Sequence, residues 1–383
     1  MTTETSVTVR PILSVFLSSL RDIGYSFETA LADLVDNSIS ANAENIKIYA
    51  LPSTDKLVIV DDGNGMSDDM LKEAMRLGTQ KETRAKNDLG RFGLGLKTAS
   101  FSQCKRLTVF SKCDQTISGY TWDLDFLSQK DDWLLQKASL DDLKSKLNEM
   151  SPQIYGEFSS AKHASLILWE KIDRYSEEEF DEELKNARKH LALTFHRYLG
   201  FPGFNGQMVK LYFNNTKIDP FDPFTSKDKN TARSGMQAQT DEYTLSNGTS
   251  LSVTPYILPP LNKLSQSEYK ELATTEGFTR SQGFYLYRQG RLLIYGTWFG
   301  LSCIKDASNL VRIRIDVDVY QDQEWKINRI NNEGAHSNIE KAMFCQSEIE
   351  AVEVAKKIII ELKKNKDQFN ALLNSIDSGV TNA

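Results

Sequence analysis

Hydrophobic spacing changes period along this chain, and each change marks an element. Residues 11–20 form a short apolar helical run, and residues 21–25 read as its exit. From residue 26 to 40, Leu31, Leu34, Val35 and Ile39 recur at helical spacing, with Asp33, Asp36 and Asn37 gathered between them. Ser26 stands where an N-cap belongs, and Glu28 falls in the first turn. Asn42 and Asn45 mark the following loop, and residues 46–51 and 56–60 have the short apolar run of buried strands. The second strand leads into Asp61-Asp62-Gly63-Asn64-Gly65-Met66, a turn-forming string. Ser67 then caps a helix expected to reach residue 77.

Residues 78–88 are polar and aperiodic, which predicts a mobile surface loop. Glycine-rich residues 89–96 follow it, and a helix is expected to start there and carry Lys97 in its first turn. Strands are expected at 107–111, 117–123 and 164–169, with an irregular, partly helical insertion at 128–159. A long helix spans 177–199, acidic at its start and basic later, as its dipole favours. A second αβ region carries strand candidates at 209–213, 249–258, 283–288, 291–295 and 310–319, with a flexible excursion at 227–241. Phe284, Tyr285, Leu286 and Tyr287 alternate as the core and surface faces of a strand. Residues 337–374 read as one or two lysine-bearing helices, more simply solvated than DNA-binding.

Composition narrows the classes. The 383 residues are long enough for two cores, and with 40% hydrophobic and 26% charged residues they match a globular protein. A formal net charge of −6 gives no bulk attraction to nucleic acid or anionic membrane, so such contacts need a local patch or a partner. Four cysteines without metal-type spacing suit a reducing compartment. The first residues lack the features of a signal peptide, and no apolar run reaches membrane-spanning length, so a cytoplasmic location and no membrane partner are expected. His163, His190, His196 and His336 are scattered, with no carboxylate or nucleophile at useful spacing.

Three stretches carry candidate chemistry, and each has a plainer alternative. A carboxylate and an amide one helical turn apart, Asp33 and Asn37, suit an attacking water and a nucleotide-bound magnesium ion, but also a solvated helix face. Asp61 at a strand end, before Gly63 and Gly65, suits the exocyclic amine of adenine, but the string also suits a hairpin turn. Gly90, Gly93 and Gly95 before a helix, with Lys97 in its first turn, suit phosphate, or a tightly packed turn.

Taken in this order, the segments resemble the GHKL ATPases, which include gyrase B, the ninety-kilodalton heat-shock chaperones, histidine kinases and MutL. The branch nearest in look is the microrchidia (MORC) type with its prokaryotic relatives. The resemblance runs over roughly residues 22–332 and implies an α+β chain. A Bergerat-type α/β sandwich would fill 1–200, with an ATP lid at about 78–100. A transducer-like αβ domain would fill 201–335, and a C-terminal helical segment 336–383.

It implies ATP and Mg²⁺ as cofactors, with Asn37 on the metal and Asp61 on the adenine amine. Gly63, Gly65 and Met66 would lie beside the base, and Gly90, Gly93, Leu94, Gly95 and Lys97 would hold the phosphates. Ala164-Ser165 stands where the family has Gly-Thr, so Ser165 would support Asp61 through water. Asp33 occupies the place of the family's general base, usually Glu, and Ser40 that of an aspartate. Asn331 falls where the transducer domain usually offers a lysine to the terminal phosphate, leaving Arg329 as the better substitute and Lys326 on the opposite strand face. ATP would close a homodimer through residues 1–25.

The function implied is a slowly hydrolysing ATPase that works as an ATP-dependent dimerisation switch or clamp. Candidate targets are DNA or a partner protein or effector, as in a prokaryotic defence system. Two alternatives stay open: a nucleotide sensor with little hydrolysis that recruits an effector, and a chaperone-like client clamp. Kinase activity fits least, since no phospho-acceptor histidine helix precedes the site.

Overall fold

The computed structural model describes residues 12–22, 25–77, 95–224, 236–237, 240–244, 250–259, 264–266, 272, 277, 280–298 and 309–317. The chain is α+β. Its first half runs α1 (Leu13–Arg21), α2 (Phe27–Ser40), β1 (Asn45–Leu51), β2 (Lys56–Asp61), α3 (Asp68–Met75), α4 (Gly95–Gln103), β3 (Cys104–Cys113) and β4 (Thr116–Asp123). Next come α5 (Leu124–Lys130), β5 (Gln136–Lys137), α6 (Leu140–Met150), α7 (Pro152–Ser160), β6 (His163–Ile172) and α8 (Glu177–Thr194). The remainder is α9 (His196–Leu199), β7 (Lys210–Phe213), β8 (Thr216–Lys217), β9 (Met236–Gln237), β10 (Asp241–Thr244), β11 (Ser250–Ile257), β12 (Gly283–Arg288), β13 (Arg291–Thr297) and β14 (Val311–Val317). It falls into two compact units, one of residues 1–190 with 207–218 and one of residues 191–206 with 219 onward.

The first unit is built on an eight-stranded sheet in the order β5-β4-β3-β6-β2-β1-β7-β8. Its outermost pair is a difference from the sequence reading, which grouped residues 209–213 with the second region. β7 instead lies parallel to β1, with Ile46 opposite Leu211 and Ile48 opposite Phe213. A parallel pairing so distant in sequence leaves no local signature, because the strand looks the same in either sheet.

The period of two splits every strand between two faces. On the back face Val58, Val60, Phe110, Leu166 and Leu168 meet Leu143 and Leu147 of α6 and Ile154 and Phe158 of α7 in one buried cluster. The helical part expected within residues 128–159 is larger than an irregular insertion suggests, since α6 and α7 fill most of 140–159. Two capped amphipathic helices cover the sheet, with Ser139 accepting from the Asp142 N–H and Pro152 opening α7. On the front face Trp169 donates to Ser100 of α4 at 2.8 Å and meets Phe27 of α2 edge-on. Phe27 also packs edge-on against Phe180 of α8.

The second unit carries a six-stranded sheet, β10-β11-β14-β12-β13 with β9 on β11, and β12 parallel to β14. Four expected strands fall close to β11, β12, β13 and β14. The alternation at 284–287 does not separate core from surface, since all four residues are fully buried. Phe284 packs on Trp298, while Tyr285 and Tyr287 pack around Phe224.

Candidate active site

The site is assembled where β2 ends beneath α2. Ser26 caps α2 through the Thr29 N–H, as its sequence position predicts. Asp33 and Asn37, one turn apart and both half-buried, share a side of that helix, while Asp36 between them is buried. The phenol of Tyr25 donates to Asp33 Oδ2 at 3.0 Å. His190 of α8 stands near enough to Glu28 and Asp33 to feel both charges. Burial lowers its pKa, and those two carboxylates oppose the shift.

Asp61 closes β2 on the front face and is 4% exposed. Its Oδ2 accepts from Ser38 Oγ at 2.9 Å and its Oδ1 from the Gly63 N–H at 3.0 Å. Burial pushes its pKa up to about 6, and the Ser38 and Gly63 donors, with the Ser165 backbone amide, pull it back. Ser165 lies directly across from Asp61 on β6, and Ser111 lies across from Ser165 on β3. One row of strand ends thus presents a carboxylate and two hydroxyls to the front.

The turn after Asp61 is shaped by close approach. A Cβ at Gly63 would stand 2.8 Å from the Ala41 carbonyl, and Asn64 N–H donates to that same oxygen at 2.8 Å. Gly65 has φ +63°, and a Cβ there would stand 2.1 Å from the Lys112 carbonyl. Its glycine is thus required by the neighbouring strand, whatever lies on the nucleotide side. Met66 N–H donates to Ser111 Oγ at 2.7 Å, and Asp62 accepts from the Glu44 and Asn45 N–H groups at 2.8 Å each. The turn is thus pinned on both flanks.

The structure therefore brings Asp61, Gly63, Gly65, Met66 and Ser165 together around the end of β2, with Ser38 joining them to α2, the helix that carries Asp33 and Asn37. Gly95 opens α4 as expected, and among the described residues nothing lies within 4 Å of where its Cβ would be. Lys97 is 1% exposed, and its ammonium donates to the Ala74 carbonyl at the end of α3 at 2.7 Å. Gly90, Gly93, Leu94, Lys326, Arg329 and Asn331 lie outside the described residues. Sequence reasoning missed Ser38, Ser111, Tyr25 and His190. Ser38 alone carried a usable signal, a hydroxyl on the apolar side of α2.

Residues 25–156 match the family model described as histidine kinase-, DNA gyrase B- and HSP90-like ATPase. The first unit contains a GHKL ATPase domain. Among curated relatives, the chain is 26% identical over 200 residues to ATPase MORC2A of Mus musculus, which covers 51% of this chain and 18% of that protein. ATPase MORC2 of Homo sapiens matches to the same extent, and Protein MICRORCHIDIA 7 of Arabidopsis thaliana is 30% identical over 91 residues, 22% of this chain and 13% of its own. These matches span less than a fifth of each relative's length. The GHKL match covers the stretch from Tyr25 through Asp33, Asn37 and Asp61 to the back-face helix α7. Among the described residues, no helix is long and apolar enough to cross a membrane.

Proposed function

We propose that the GHKL domain binds Mg²⁺-ATP and hydrolyses it slowly, as an ATP-dependent dimerisation switch acting on a partner protein or DNA. The observation that carries this reading is Asp61, a buried carboxylate held by Ser38 and the Gly63 amide at the mouth of a strand. A carboxylate at that depth is retained where something requires an acceptor, and the exocyclic amine of adenine is a donor.

The donor set fits magnesium as well, since an amide oxygen on Asn37 stands one turn from the Asp33 carboxylate. Bound there, the metal would neutralise charge on the phosphates. Asp33 takes the proton of the attacking water, and Asn37 orients the metal side of the nucleotide. Gly93, Gly95 and Lys97 take the phosphates, for which Lys97 must leave the Ala74 carbonyl. Ser165 supports Asp61 from the neighbouring strand.

Calorimetry with ATP and GTP on the parent chain and Asp61→Asn tests the binding step, with tight ATP binding lost in the variant as the expected result. Light scattering with a non-hydrolysable ATP analogue, with and without DNA, tests the switch. A mass that stays constant in all conditions would overturn the dimerisation reading. The sensor alternative keeps the same binding and differs in turnover. It is favoured by Asp33, one methylene shorter than the family's usual Glu, and single-turnover hydrolysis separates the two.

A further inference from the structure

We infer that Tyr25 is a positioning residue for the Asp33 carboxylate and ties its orientation to α4, the helix that opens at the glycine-rich segment. The inference deepens the reading of Asp33 as general base and rests on it.

Tyr25 precedes the N-cap Ser26, so it stands outside α2 while its phenol runs along the helix to Asp33, eight residues on. The O–H donates to Oδ2 at 3.0 Å. A hydrogen bond to a charged acceptor is among the stronger kinds, and a phenol keeps its proton near neutral pH, so it orients the carboxylate without competing for its proton. An aspartate's terminal torsion is broad, and a fixed donor narrows it. Since a carboxylate has two acceptor oxygens, orientation through one is compatible with proton transfer at the other.

The other end of Tyr25 is anchored on α4. Its carbonyl accepts from Gln103 Nε2 at 3.1 Å, and Gln103, the last residue of α4, is 1% exposed. The same amide donates to Ser102 Oγ at 2.9 Å, and Gln103 Oε1 accepts from the Tyr175 phenol at 3.0 Å. A buried amide with its oxygen and nitrogen both engaged holds its place rigidly. The route from α4 to Asp33 consists of hydrogen bonds among three side chains, those of Gln103, Tyr25 and Asp33, and the Tyr25 carbonyl. His190 of α8, whose pKa burial lowers, lies close enough to feel the charges of both Glu28 and Asp33.

The test is a double-mutant cycle on the full chain with Mg²⁺-ATP, using Tyr25→Phe, Asp33→Asn and the pair. Tyr25→Phe is expected to lower kcat about tenfold, the usual worth of one such hydrogen bond, with KM and calorimetric ATP affinity unchanged. The pair is expected to be no slower than Asp33→Asn alone, because the phenol acts only through that carboxylate. Parental kcat in Tyr25→Phe, or a double mutant whose losses simply multiply, would overturn the inference. So would loss of ATP affinity in Tyr25→Phe, which would make the residue structural. If Asp33→Asn itself turns over at the parental rate, the base reading fails and the inference with it. A crippled Asp33→Asn beside an unaffected Tyr25→Phe sinks the inference alone.

Discussion

The two faces of the first sheet are made from the same strands and do opposite work. Behind it, Val58, Val60, Phe110, Leu166 and Leu168 meet apolar residues of α6 and α7 in one buried cluster. In front, the alternate residues of those strands include Asp61, Ser111 and Ser165, polar groups buried beneath α2 and the glycine turn. One face spends hydrophobic burial on holding the strands in register. The other tolerates a desolvated carboxylate because the strands are already held. A candidate site of this kind is a local exception supported by a conventional core one backbone thickness away.

Substitutions on the two faces should separate cleanly, and the largest effect belongs to the front. Asp33→Ala is expected to cut ATP turnover by roughly 10²–10⁴-fold, the usual worth of general-base catalysis, with ATP affinity and melting temperature near parental. Hydrolysis that survives at the parental rate would take Asp33 out of the chemistry. Next comes Phe158→Ala on α7, fully buried in the back cluster. It should destabilise the chain by about 3–5 kcal/mol in denaturant unfolding while the molecules still folded bind ATP as before. A matching loss of affinity per folded molecule would show that the faces are not independent.

Asp61 yields the third contrast, in its pH dependence. Its pKa stands at about 6, above the ordinary 3.8, so protonation begins just below neutrality. ATP affinity should fall about tenfold for each pH unit below that value, since a protonated carboxyl offers adenine a donor. Stability should move the other way. A raised carboxyl pKa contributes stability fully below the unfolded value and loses it as pH rises through about 6. Calorimetry from pH 5 to 7.5, set against Asp61→Asn, isolates this group, and identical profiles for the two proteins would exclude it from the site. The smallest effect is Glu157→Gln on α7, which weakens the ion pair to Lys47 at 2.6 Å and the bond from the Tyr49 phenol at 2.8 Å. Both charged partners are about a third exposed, so the change should be under about 1 kcal/mol with no effect on turnover.

What was legible in the sequence was what is local. Ser26 and the spacing of Leu31, Leu34, Val35 and Ile39 announce α2, and the abrupt switch from Val60 to Asp61-Asp62-Gly63 announces the end of β2. The back-face helices were legible only as a partly helical stretch, although Leu143 with Leu147, and Ile154 with Phe158, sit at helical spacing, because short apolar pairs drown among polar neighbours. The partners of the site residues were out of reach for another reason. Ser111 meets the turn only through the register of β3 on β6, and Tyr25 meets Asp33 only through the path of its side chain. Periodicity reports which face a residue occupies, not which neighbour it touches.

The placement of β7 has a consequence for the order of events during synthesis. β1 emerges from the ribosome early, yet its outer edge waits for residues 210–213, more than 150 positions later, after the chain has left the first unit and come back. Until then β1 offers unpaired N–H and C=O groups to any other nascent chain. A chain cut at residue 200 would keep that edge bare permanently, whereas one carried to residue 218 closes it with β7 and β8.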